Sequence, residues 1–233
     1  MPSPAKLSAK PARKASRKSL ARATARSFSI EVKPTRGSAE LLLAATASLL
    51  SERPDMAASF RDIEKRSGLN SALIKYYFGN KEGLLMALLE RDAKLEMDAL
   101  RHLVATAGLS AAEKLRIHIT GILNAFYKSP YLNSLIHHMI DNASERSRKL
   151  LKKVYIDPMV EAYRQIVAQG VAEGAFRSVN AEMLYCSLVG SCDYLFSSAS
   201  IVPQMLNEAR ITEELKQRYI AHVVDMTLFG MRK

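Results

Sequence analysis

An all-α fold is predicted by three features of this 233-residue sequence. Apolar residues recur at helical spacing almost without interruption after Pro34, no run of β-branched residues alternates with period two, and no Asn-Gly or Asp-Gly hairpin turn occurs. The composition, 48% hydrophobic and 24% charged, is that of a soluble globular chain. No window approaches the roughly eighteen consecutive apolar residues of a membrane helix. With only Cys186 and Cys192 present, a disulfide scaffold is excluded and a reducing cytoplasm is the expected compartment. The length suits one domain with an appendage, or one small and one medium domain.

The elements follow from their breakers. A first helix runs from about Ser38 to Ser51 and stops before Arg53-Pro54, because the residue preceding proline is pushed out of the helical region. A short helix covers Phe60 to Ser67, with Ser59 as N-cap and Gly68 in the left-handed C′ position. Asn70 opens another short helix, Ser71 to Phe78, closed by Gly79. From Asn80-Lys81 a long helix reaches about Thr106. Others span Ala111 to Lys128 and Leu132 to Ile140. A long segment from Ser144 to Glu173 carries Pro158, which marks a kink or a break. Gly174 ends it, Asn180 opens a helix to about Ser198, and the last helix covers Glu208 to Phe229. No repeat of fixed period appears, which excludes a solenoid.

Charge divides the chain unequally. Met1 to Arg36 holds ten Lys or Arg against one acid, Glu31, so about nine of the eleven net positive charges lie there and the remainder is nearly neutral. Residues 1–33 are rich in Ala, Ser, Lys and Arg, and too poor in large apolar side chains to offset their ordering entropy. They read as a disordered basic arm that seeks a polyanion. A solvated tail without a role and an organelle transit peptide share that composition.

Between residues 36 and 90 the pattern is a helix followed by helix-Gly68-helix. Phe60, Ile63, Leu69, Ile74 and Tyr77 fall at the spacing needed to pack a helix-turn-helix. That leaves Ser71, Ala72, Lys75 and Tyr76 on the outer face of the second short helix. Small residues at its start would let the helix approach base edges, and Lys75 and Tyr76 would reach bases or phosphates. An ordinary tight helical corner has the same pattern.

The same stretch, Arg36 to Glu90, resembles the DNA-binding domain of the tetracycline-repressor (TetR) family of bacterial transcription regulators. The resemblance is carried by Ser59-Phe60-Arg61-Asp62-Ile63, by Ser67-Gly68-Leu69-Asn70, and above all by Tyr77-Phe78-Gly79-Asn80-Lys81-Glu82-Gly83-Leu84-Leu85. Ala44-Ala45 and Leu49 match the first-helix pattern. The chain departs from the family at Lys75, where a Tyr or Trp is usual, at Tyr76, where a His or Asn is common, and at Arg53-Pro54, which replaces a Gly-aromatic pair. The resemblance implies that Ile63, Leu69, Tyr77 and Phe78 are core. It implies that Ser59 and Lys81 grip phosphates, that Ser71, Ala72, Lys75 and Tyr76, with Asn70 at the helix start, face the major groove, and that Arg36 lies toward the minor groove.

It further implies three parts: the basic arm 1–33, a three-helix helix-turn-helix DNA-binding domain 34–85, and a helical dimerisation and ligand-binding domain 86–233. The turn Gln169-Gly170-Val171-Ala172-Glu173-Gly174-Ala175-Phe176-Arg177 resembles the family's connection between dimer-forming helices. Dimerisation would then use about Tyr155 to Glu173 and Asn180 to Ser198. Met159, Tyr163, Ile166, Val167, Met183, Leu184, Leu188 and Leu195 are its apolar candidates, and Gly190 would permit close approach. An intrachain core is the other reading, on different faces of the same helices.

Other polar and sulfur-bearing residues allow more than one chemical reading. His137 and Asp141 share a helical face, with His118 as a conceivable third metal ligand, but two partly exposed histidines suffice to explain them. Ser191, Cys192, Asp193 and Ser197 would polarise a ligand pocket or satisfy neighbours. Met86, Met97 and Met139 would line an adaptable cavity or fill the core. No phosphate loop, nucleophile elbow or paired-carboxylate site appears, so no catalysis and no cofactor are expected. The expectation is a cytoplasmic, homodimeric repressor that reads a palindromic operator in double-stranded DNA and is released by a small-molecule effector. The alternatives are a non-specific DNA-coating protein driven by the arm, or a helical ligand carrier or enzyme with an incidental helix-turn-helix.

Overall fold

The computed structural model describes residues 36–52 and 57–233, with the side chain of Arg36 left out. The basic arm and the Arg53-Pro54 break lie outside the described residues. Eleven α-helices follow one another among those described: α1 Arg36–Glu52, α2 Phe60–Ser67, α3 Ala72–Phe78, α4 Lys81–Ala105, α5 Ala111–Lys128, α6 Pro130–Asn142, α7 Glu145–Leu151, α8 Asp157–Ala172, α9 Ala181–Ser197, α10 Val202–Met205 and α11 Glu213–Met231. No strand occurs among them. One antiparallel bridge joins Phe176 to Arg232.

Local chemistry sets most helix starts. Ser59 and Asp62 form a reciprocal capping box on α2, and Ser110 with Glu113 forms a second on α5. Asn80 accepts from the Gly83 amide at 2.8 Å, Asn180 from Met183 at 2.7 Å, and Thr212 from Leu215 at 3.1 Å. Gly68 ends α2 at φ 70°, in the left-handed region open to glycine.

Pro158 follows a change of helix type, the last helix starts later than expected, and one short helix is added. The segment Ser144–Glu173 is two helices joined by a π-helical turn, Lys152–Ile156, immediately before Pro158. Proline has no N–H for the carbonyl one turn back and its ring crowds that turn, and the wider π turn relieves both. The last helix begins at Glu213 rather than Glu208, because the Thr212 hydroxyl caps it there. The short α10 precedes it and was not anticipated.

The packing forms two apolar clusters. One gathers α1 to α3, the first half of α4, and Tyr131, Leu132, Leu135, Met139 and Leu151 from α6 and α7. The other gathers the end of α4, α5, α8, α9 and α11 around Leu115, Ile119, Leu123, Tyr163 and Ile166. Helix α4 runs unbroken through both. At the turn after α8, Phe176 packs over Gly170 so closely that a β-carbon there would lie 1.9 Å from the ring. Burial of Phe176 therefore requires glycine at 170.

Candidate nucleic-acid interface and effector cavity

Helices α2 and α3 are held by a small core. Ile63, Leu69 and Ile74 are buried, and Tyr77 and Phe78 pack half-buried against them. Arg66 ties the end of α2 to α1 by a paired contact to Glu52, at 2.8 and 2.7 Å. Phe60, expected in this core, is instead 36% exposed. It is the first residue of α2.

The outer side of α3 is as the spacing predicts. Ala72, Lys75 and Tyr76 are exposed, with Tyr76 at 69%, while Ser71 is partly covered. Tyr76 lies edge-on to Tyr77 at 5.0 Å, so the inward ring supports the outward one. Helix α3 proper starts at Ala72, and the Asn70 side chain accepts from the Ala72 amide at 2.8 Å. Lys81 sits partly buried at the start of α4. Arg36 is the first residue of α1, and its side chain is not described.

The cap of α2 alters the expected role of Ser59. Its hydroxyl donates to Asp62 Oδ2 at 2.7 Å and its amide donates to the same oxygen at 3.0 Å. Both groups are committed to the cap, beside a carboxylate that repels phosphate. Arg61, one residue before that carboxylate, is exposed and was not singled out from the sequence. Only its place in the first turn of α2 signals it.

The second feature is a cavity of about 130 Å³ walled by α4, α5, α6 and α8, including Met97, Leu100, His118, Phe126, Leu132 and Met159. Burial pushes the His118 imidazole down to about 4, so it is neutral at physiological pH. Its Nε2 has no hydrogen-bond partner. Of the methionines expected at a cavity, Met97 lines it, whereas Met86 and Met139 belong to the first core. Ser191, Cys192, Asp193 and Ser197 do not line it. Instead Asp193 pairs with His137 Nε2 at 2.8 Å, joining α9 to α6. Among the described residues no three His, Cys, Asp or Glu side chains converge as metal ligands.

The expected dimer helices also divide. Met159, Tyr163, Ile166, Val167, Leu188 and Leu195 are buried in this chain's own core and are not available to a partner. Of the candidates on α9, Met183 is exposed and Leu184 half-buried. Gly190 is exposed and a β-carbon there would meet open space.

Two family models match the chain: bacterial regulatory proteins of the tetR family over residues 42–88, and the tetracyclin repressor-like C-terminal domain over residues 108–233, more than half of the chain. Together with the helix-turn-helix they define the class of DNA-binding transcription regulators. The chain belongs to the TetR family of bacterial regulatory proteins. A curated relative, the HTH-type transcriptional regulator BetI of Stenotrophomonas maltophilia, is 32% identical over 90 residues, 39% of this chain and 45% of the relative, so the match spans less than half of that protein. Among solved structures, the TetR family transcriptional regulator PfmR from Thermus thermophilus is 22% identical with a TM-score of 0.65, covering 87% of this chain and 100% of that one. The ketosteroid transcriptional regulator KstR2 of Mycobacterium tuberculosis is 17% identical with a TM-score of 0.66, covering 86% and 97%. The transcriptional regulator FadR from Bacillus subtilis, solved in complex with stearoyl-CoA, is 15% identical with a TM-score of 0.66, covering 83% and 99%. At these identities the likeness is one of fold. No helix among the described residues is long and apolar enough to cross a membrane.

Proposed function

We propose that this chain is a cytoplasmic homodimeric repressor, not an enzyme, that binds a palindromic operator and releases it when a small molecule enters the α4–α5–α6–α8 cavity. The observation that carries the reading is the α3 surface, where Tyr76 and Lys75 project from a helix anchored by Ile74 and Tyr77. Residues 34–85 form the DNA-binding domain and 86–233 the dimer and effector domain, preceded by the basic arm. Ser71, Ala72, Lys75 and Tyr76, with Asn70 at the helix start, read bases. Lys81, Arg61 and Arg36 serve the backbone and adjacent minor groove.

The partner surface is the exposed side of α9 and α11. Met183 and Tyr194 on α9 and Met226 and Phe229 on α11 are large apolar side chains left in solvent, Phe229 at 74%. The Tyr219 hydroxyl donates to the Ser191 carbonyl at 2.8 Å, which sets the two helices side by side. A second copy of the chain covers this face, with Gly190 admitting close approach.

A helix-turn-helix dimer reads two half-sites about one DNA turn apart, roughly 34–36 Å. An effector that binds better to another spacing shifts the population away from DNA. Helix α4 contributes Met97 and Leu100 to the cavity and begins at Lys81 beside α3, so one rigid element meets both sites. A footprint on the gene's own upstream region tests the reading. A protected palindrome supports it. Uniform protection without a boundary supports the DNA-coating alternative instead.

A further inference from the structure

We infer that the effector is a small, largely apolar molecule with one uncharged or cationic hydrogen-bonding head group, held at His118, and that the cavity rejects a carboxylate-headed analogue. The inference rests on the effector reading of the cavity given above and names its ligand class.

Size comes first. A cavity of about 130 Å³ is close to one of about 150 Å³ known to accept benzene. It suits a single ring or a short chain. The walls are apolar apart from Glu96, His118 and Tyr155, and they include no Lys or Arg. A carboxylate in such a site would lack a countercharge, and a buried unpaired charge is among the costliest groups to accommodate.

His118 supplies the polar anchor. Its side chain is more than nine-tenths buried, with Nε2 unpartnered, on the wall of the cavity. Tyr163 lies edge-on to it at 5.4 Å and its own hydroxyl also lacks a partner, so that neighbour does not satisfy the imidazole. A buried orphan of this kind is destabilising until something binds it. Burial keeps the ring neutral, so Nε2 offers one hydrogen bond and no positive charge.

Glu96 sets the sign at the entrance. It lines the cavity from α4 and is exposed, as are Ala99 beside it and Ile117 on α5, which places the mouth between these helices. Partial burial pushes the Glu96 carboxyl up from its ordinary value, and Lys128, at the end of α5, opposes that shift without lining the cavity. An amine or hydroxyl would pass this carboxylate favourably, and an anion would be repelled.

The test uses the full chain without DNA and three compounds of matched shape: benzyl alcohol, benzylamine and benzoate, each titrated calorimetrically. Benzyl alcohol and benzylamine are expected to bind, with benzoate at least about tenfold weaker. His118→Phe, which keeps a ring but removes the nitrogen, should weaken benzyl alcohol about tenfold, and His118→Gln should recover part of that loss. Glu96→Gln, at the mouth, should narrow the gap between benzylamine and benzoate. Circular dichroism establishes that each variant is folded; if His118→Phe is not, the Glu96→Gln comparison decides. Benzoate binding as well as the alcohol, or a folded His118→Phe binding the alcohol like the parent, would overturn the inference while leaving the operator reading intact. Binding of none of the three would overturn it and the effector role of the cavity together, and the footprint would still report separately on DNA recognition.

Discussion

The Glu82 carboxylate accepts hydrogen bonds from the amide and the hydroxyl of Ser144, at 3.2 and 2.5 Å, and so joins the first turn of α4 to the N-cap of α7. The Ser144 hydroxyl also caps the Ser147 amide at 3.3 Å. Glu82 follows the α3–α4 turn directly, so the recognition unit is clasped to a helix 62 residues further along the chain.

This clasp carries a pH signature. The Ser144 hydroxyl, with Ser147 and the Ser144 amide, holds the Glu82 carboxyl below the usual carboxylate range. A carboxyl lowered in the folded state adds stability above its unfolded value, roughly pH 4, and loses it as pH falls through the folded value. Glu82→Gln should therefore melt slightly below the parent at neutral pH, with the gap closing below roughly pH 4. Thermal melts across that range check this. A gap that widens on acidification would refute it.

Grip and reading should separate by mutation. Lys81→Ala is expected to weaken operator and random duplex by similar factors, because a phosphate contact is indifferent to base identity. Tyr76→Ala or Lys75→Ala should cost about 1–3 kcal/mol on the operator and relax preference at one position per half-site. Titration against both duplexes at fixed salt distinguishes them. Equal losses from all three variants would show that α3 is not the reading element.

Gly83 has a packing role that its place in the family motif does not reveal. A β-carbon there would lie 2.0 Å from the Phe78 carbonyl oxygen, a backbone atom with little freedom to move. Gly83→Ala should destabilise the chain by about 1–3 kcal/mol through overpacking. Urea unfolding reads this directly. An unchanged midpoint would mean that the α3–α4 turn yields at no cost.

The helices around the turn were legible because their punctuation is local: Ser59, Gly68 and Asn80 act within four residues of where they stand. Thr212-Glu213-Glu214 carried a similar signal for α11, but apolar periodicity continues upstream through Leu206 and masked it. Tyr76 outward and Tyr77 inward followed from spacing around the buried Ile74. The partner face did not. Periodicity marks Tyr163 and Ile166 as apolar on one side of α8 without saying which chain buries them, and the fold spends them on the core. The cavity was equally hidden, since its walls come from four helices whose spacing no single segment encodes.

Assembly should depend on that exposed face. The parent is expected to be a dimer at micromolar concentration without DNA. Joint Met226→Arg and Phe229→Arg substitution should give a folded monomer, because two charges would be buried without partners. Sedimentation velocity decides. A dimer that survives both changes would move the interface elsewhere.

Selection from a random pool of duplex DNA decides whether paired α3 helices read sequence. Enrichment is expected of a two-fold symmetric site whose half-site centres lie about one turn, roughly 10 base pairs, apart. The enrichment should disappear with Tyr76→Ala and Lys75→Ala together. A pool that stays random after repeated rounds, or a site that the double variant still selects, would contradict it.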